Sequence, residues 1–214
     1  MPARTARKIW EAIRGDSKSP GKVALRVGVA GFVVLVAIVV VAIGGATGLA
    51  WTSTLGFCTS CHEMRDNVYA EYKDTIHDKN RTGVQVTCSD CHVPHSPGPL
   101  IVRKMNATFE IWGKLTGVID TKDKFQAHRA ELAKRVWTRM LTTNSLECRN
   151  CHKPEQMDQD KQSDKAKSRH AKAKEEGMTC VECHYAIAHD EPKGPGPQEL
   201  KKQLGIGKLP WIVD

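Results

Sequence analysis

The sequence predicts a mainly α-helical protein with little or no β structure: one N-terminal membrane-spanning helix, then a small domain built as a duplicated module. Three observations predict this. Residues 27–51 carry no charged side chain. The pattern Cys-x-x-Cys-His recurs four times beyond that run. Between the copies, apolar residues return at helical steps of three and four, and no stretch makes a convincing strand.

About 20 apolar residues cross a bilayer as a helix, so Val27–Trp51 is long enough, with some tilt. A cleaved signal peptide is the alternative, and Gly48-Leu49-Ala50 resembles its cleavage site. The apolar region of such a peptide is normally only about 7–15 residues. Before the run lie Arg4, Arg7, Lys8, Arg14, Lys18, Lys22 and Arg26 against Glu11 and Asp16, five of the net +8 charges. A basic flank on that side puts the N-terminus in the cytoplasm and everything after Trp51 outside, in the periplasm of a bacterial inner membrane. The expected organisation is a cytoplasmic segment 1–26, an anchor 27–51, a periplasmic domain 52–190 and an extended tail 191–214. Gly44 and Gly48 form a GxxxG pair able to join two spans as a homodimer. No stacking aromatics interleave with the basic residues, which excludes a nucleic-acid partner.

All eight cysteines fall in the four repeats: Cys58 and Cys61 before His62, Cys88 and Cys91 before His92, Cys148 and Cys151 before His152, Cys180 and Cys183 before His184. Zinc sites and disulfides also use cysteine pairs, but neither needs a histidine after every second cysteine. Covalent c-type haem does: two thiols add across the porphyrin vinyl groups and the adjacent histidine reaches the iron. Four covalently bound haem c groups follow. Four apolar plates also explain how a chain with only 6% aromatic residues fills its centre.

The motifs begin at 58, 88, 148 and 180, two close pairs with a longer spacer. Each pair has a lone histidine before its second motif (His77, His170) and another just after it (His95, His189). This is the order of a duplicated two-haem module. Helices are expected over Arg65–Asn80, with Val68, Tyr72 and Ile76 on one face, and over Leu100–Thr116 after a break at Pro94, Pro97 and Pro99. Two more are expected over Lys122–Thr142, capped by Asp120 or Thr121, and over Gln159–Glu176, ended by Gly177. Low-spin haem needs a second axial ligand. The repeat nominates His77, His95, His170 and His189 for bis-histidine coordination and leaves His128 a surface role.

The motifs "CHEM", "CSDCHVPH", "SLECRNCH" and "CVECHYAIAH", with one N-terminal span, resemble the NapC/NirT/NrfH family of membrane-anchored tetrahaem cytochromes, closest to its NapC/NirT branch. The resemblance covers residues from about 20 to 190. It implies a quinol dehydrogenase that takes electrons from menaquinol or ubiquinol and passes them to a periplasmic nitrate or nitrite reductase. It also implies that Met64 rather than His62 ligates the first iron, that Lys104 rather than His95 ligates the second, and that His77 and His189 serve the fourth and third. His170 and His95 have no ligand role in the related branch. Lys104, Glu110 and Asp66 become candidates for the quinol site. The alternative function is an electron relay between protein partners with no quinol site of its own.

Overall fold

The computed structural model describes residues 20–211. Most of the basic segment, including Arg4, Arg7, Lys8, Arg14 and Lys18, lies outside the described residues. The chain divides into two compact units, residues 1–50 and 51–214.

Helix α1, Pro20–Trp51, dominates the first unit. Within Gly21–Trp51 an 18-residue stretch has a mean hydropathy of 3.0 and none of its side chains is buried, so by length and composition the helix suits a membrane span. It starts before the uncharged run because Lys22 and Arg26 are good helix formers at the end of an apolar stretch.

The second unit is a set of short helices with no strand among the described residues. In order these are α2 (Leu55–Cys58), a π-helical turn (Met64–Tyr69), α3 (Ala70–Tyr72), α4 (Cys88–His92), α5 (Pro97–Leu115), α6 (Lys122–Thr142), α7 (Leu146–Cys151), α8 (Asp164–Glu176) and α9 (Pro197–Gln203). The long spacer helix α6 has the expected ends, and Thr121 is its cap, accepting from Lys124 N.

Three expectations are corrected. The helix from Arg65 stops at Tyr72, because Lys73 turns extended and Asp74 takes a left-handed φ of 68°. The Tyr72 hydroxyl then donates to the carbonyls of His77 and Val86, closing a loop, so Ile76 is exposed while Tyr72 is buried. The prolines at 97 and 99 do not break the chain. Pro97 starts α5, since the first turn of a helix has no use for the missing N–H. The Lys-rich helix begins only at Asp164, where Ser163 accepts from Ala166 N, and ends at Gly177 in the left-handed region, φ 62°.

The tail is also corrected. It is not extended throughout, because Pro197 opens α9, which buries Leu200 and Lys201. Leu200 joins Trp137, Leu141 and Val181 in a buried apolar cluster. Beyond it, Asn144 and Arg149 donate to the carbonyls of Pro210 and Trp211 and hold the end of the tail. Only seven hydrophobic residues are buried among those described, too few to organise the unit without other apolar groups at its centre.

Candidate haem sites

None of the eight cysteines pairs in a disulfide. Cys58 and Cys88 lie within hydrogen-bonding reach of each other, and so do Cys148 and Cys180. First and second motifs are therefore neighbours, as are third and fourth, which is the pairing a duplicated module requires. No group of three or more His, Cys, Asp and Glu side chains converges as a metal site among the described residues.

The second and fourth motifs are framed alike. Thr87 N donates to Asp90 Oδ2 at 2.6 Å, and Thr179 N donates to Glu182 Oε1 at 2.7 Å. These are capping boxes that start each motif at its first cysteine. The sequence carries the signal, Thr-x-x-Asp and Thr-x-x-Glu, inside the motifs themselves. Glu182 is also bonded by the buried Lys201 at 2.7 Å. Ser145, fully buried, accepts from Val181 N at 3.1 Å and so ties the start of the third motif's helix to the fourth motif.

Three of the five lone histidines face a motif histidine. Ring centroids are 6.1 Å apart for His92 and His189, 6.3 Å for His77 and His152, and 6.2 Å for His170 and His184. Two imidazoles bound to opposite sides of one metal, each about 2 Å from it, place their centroids about 6 Å apart. The residues therefore fit bis-histidine haem at the second, third and fourth motifs. When bound there, haem supplies a one-electron acceptor and donor.

The protonation states agree. Burial, with Arg139 adding to it, pushes His92 down to about 3, and burial lowers His77, His184 and His189 too. Neutral imidazole is the ligating form. The Nδ1 atom of His77 is buried with no hydrogen-bond partner among the described residues. His170 Nδ1 bonds Gln162 Oε1 at 2.8 Å. That oxygen can only accept, so Nδ1 is the donor and Nε2 is left for a metal.

These pairings differ from those the resemblance implies. His77 faces the third motif, not the fourth, and His189 faces the second, not the third. His170, without a role in the related branch, faces the fourth. Each module thus lends a histidine to the other. His95 is 57% exposed, with only Asp90 at 3.9 Å. His128 is exposed on α6 and bonds its own helix at Lys124 O.

Around the first motif, His62 Nε2 lies 3.4 Å from Glu63 Oε1, and Met64 opens the π-helical turn. Glu63, only 4% exposed, was not anticipated from sequence. Burial pushes its carboxyl up, but bonds from Lys114 Nζ at 2.7 and 2.8 Å outweigh this and hold it below the usual range. Lys104 lies on α5. Its Nζ donates to Thr52 O at 2.9 Å and Oγ1 at 3.0 Å, and burial lowers its pKa. Glu110, 64% exposed, pairs with Arg103 at 2.9 Å, and Arg103 Nε donates to His92 O at 3.3 Å. Asp66 pairs with Arg65 at 2.9 Å.

The profile of the family described as NapC/NirT cytochrome c family, N-terminal region, matches residues 21–194. The denitrification system component NirT of Stutzerimonas stutzeri is 53% identical over 151 residues, 71% of this chain and 75% of that one. The cytochrome c-type protein NapC of Escherichia coli K12 is 50% identical over 149 residues, covering 70% of this chain and 74% of NapC. The cytochrome c-type protein TorC of the same organism is 40% identical over 187 residues, 87% of this chain but 46% of TorC. No solved structure matches the chain. With four Cys-x-x-Cys-His motifs behind an apolar helix, and a family profile matched across most of its length, the chain belongs to the NapC/NirT cytochrome c family.

Proposed function

We propose that this chain is a membrane-anchored tetrahaem cytochrome c that oxidises quinol and hands the electrons to a periplasmic reductase of the nitrate or nitrite type. The observation that carries it is the set of three motif–lone histidine pairs at 6.1–6.3 Å, together with a first motif that starts seven residues after the apolar helix. The relatives' names, a denitrification component and NapC, support the choice of reductase.

The eight cysteines hold four haem c groups. His92 with His189, His152 with His77, and His184 with His170 are the axial pairs. Met64 ligates at the first motif, as the family resemblance implies. Quinol releases two protons as it gives up two electrons. Glu110, paired with Arg103, takes a proton. Lys104, at the level where the apolar helix ends, donates a hydrogen bond to a quinol oxygen, and Asp66 is the weaker candidate. The N-terminus is cytoplasmic, the haem domain is periplasmic, and Gly44 and Gly48 join two anchors.

The test is anaerobic. Full-length protein with four haems attached is mixed with a menaquinol or ubiquinol analogue and its reduction followed by absorbance. Periplasmic nitrate or nitrite reductase is then added. Reduction by quinol followed by reductase-dependent re-oxidation is expected. Protein that stays oxidised with both quinols, yet is reduced by a protein donor, is an electron relay instead.

A further inference from the structure

Helix α5 has its polarity inside out. Ile101, Met105, Phe109 and Trp112, spaced at 3.6 residues per turn with Val102 beside them, form one face. They are 50–75% exposed, and the helix has no buried residue. Arg103 and Lys114 lie on the opposite face and reach back to the haem motifs. Arg103 Nε donates to His92 O, and Lys114 Nζ donates to the buried Glu63. A surface helix in water turns its apolar face to the core and its charges outward. Here the contacts to the first and second haem motifs, at Glu63 and His92 O, are made from the charged side.

We propose that α5 is an interfacial helix, its apolar face lying in the outer leaflet of the bilayer at the boundary between headgroups and acyl chains. Lys104 identifies the occupant. This cation edges the apolar face and bonds both oxygens of Thr52, the residue directly after α1 ends at Trp51. A helix tied to the exit of a membrane span is at membrane level. An exposed tryptophan among aliphatic residues is the composition of that boundary. The proposal rests on α1 being a membrane anchor. It adds a second attachment that would fix the first motif's height above the lipid.

The experiment uses full-length, four-haem protein in nanodiscs of phosphatidylethanolamine and phosphatidylglycerol. Hydroxyl-radical footprinting reads water access, and a lipid-dissolved diazirine, photolysed to a carbene, reads bilayer access. Met157, also exposed but on the segment after the third motif, is the water-facing standard. The expected result is loss of oxidation at Met105 and Trp112 relative to Met157, with carbene adducts on both α1 and α5. Oxidation of Met105 and Trp112 equal to that of Met157 overturns the proposal. So does protection without carbene adducts on α5, the pattern of a face covered by a second copy or by haem. Absence of adducts on α1 as well overturns the anchor reading with it.

Discussion

Arg129→Ala is the perturbation most closely tied to the haem sites. Arg129 on α6 donates to both carboxylate oxygens of Glu71, at 2.7 and 2.5 Å, and to the carbonyl of Asp190 at 2.7 Å. Glu71 in turn accepts from Asp190 N at 3.0 Å. The two side chains therefore grip the peptide directly after His189, whose ring faces His92. They are only 11% and 16% exposed. Removing one partner of a fully buried pair costs about 3–5 kcal/mol, and some water reaches this pair, so about 2–4 kcal/mol is expected. For a domain of this size that lowers Tm by roughly 5–10 °C. Arg135→Ala is the control, since the Arg135–Glu131 pair is 72% and 56% exposed and such pairs contribute about 0–1 kcal/mol.

The pH dependence has a definite sign. Burial pushes the Glu71 carboxyl up, but Arg129 and the Asp190 N–H outweigh it and hold it below the usual range. A depressed folded-state pKa means stability that is full above the unfolded value of about 4.5 and lost as pH falls through the folded value. The Tm gap between wild type and Arg129→Ala should be widest at neutral pH and shrink in acid. The assay is a circular-dichroism melt of full-length protein, with the visible spectrum reporting ligation at the second motif. An Arg129→Ala melt indistinguishable from Arg135→Ala, or a gap that does not change with pH, refutes the reasoning.

Further predictions concern the quinol site, the first iron and the tail. Glu110→Gln should slow reduction by a quinol analogue while all four haems remain covalently attached, and unchanged turnover removes Glu110 from the mechanism. Met64→Ala should change the spectrum and potential of the first haem alone, whereas a loss at His62→Ala with no effect of Met64→Ala assigns the iron to His62. Gly177→Ala should destabilise by about 2–4 kcal/mol, since the left-handed φ is strained for alanine and overpacking adds to it. The added Cβ would sit 2.7 Å from Lys208 Cβ and 2.8 Å from Leu209 N. Gly205→Ala, also left-handed but facing open space, should cost less, and equal melts for the two would count against the close approach of the tail.

What the sequence made legible was local. The motifs, the apolar helix, the Thr121 cap of α6 and the Gly177 stop of α8 are each set by residues within one turn of where they act. The repeat also nominated His77, His170 and His189. It did not say which motif each one faces, because that depends on packing between distant segments. His77 and His152 are 75 positions apart in the chain, and His92 and His189 are 97 apart, each pair crossing from one module to the other. The symmetry of the repeat instead put His95 on the same footing, although it lies three residues after His92 and points to solvent. Glu63 escaped notice because its burial depends on Lys114, far along the chain. The tail helix escaped notice because Pro197 reads as a breaker until it is placed in the first turn.

The central claim is the crossing of ligands between modules, and near-infrared magnetic circular dichroism of the oxidised full-length protein tests it most directly. Bis-histidine haems have a distinct charge-transfer band. Three such haems are expected in the wild type and one fewer in each of His77→Ala, His170→Ala and His189→Ala, with no change in His95→Ala or His128→Ala. A spectrum in which His95→Ala removes a bis-histidine haem and His189→Ala does not would contradict the account.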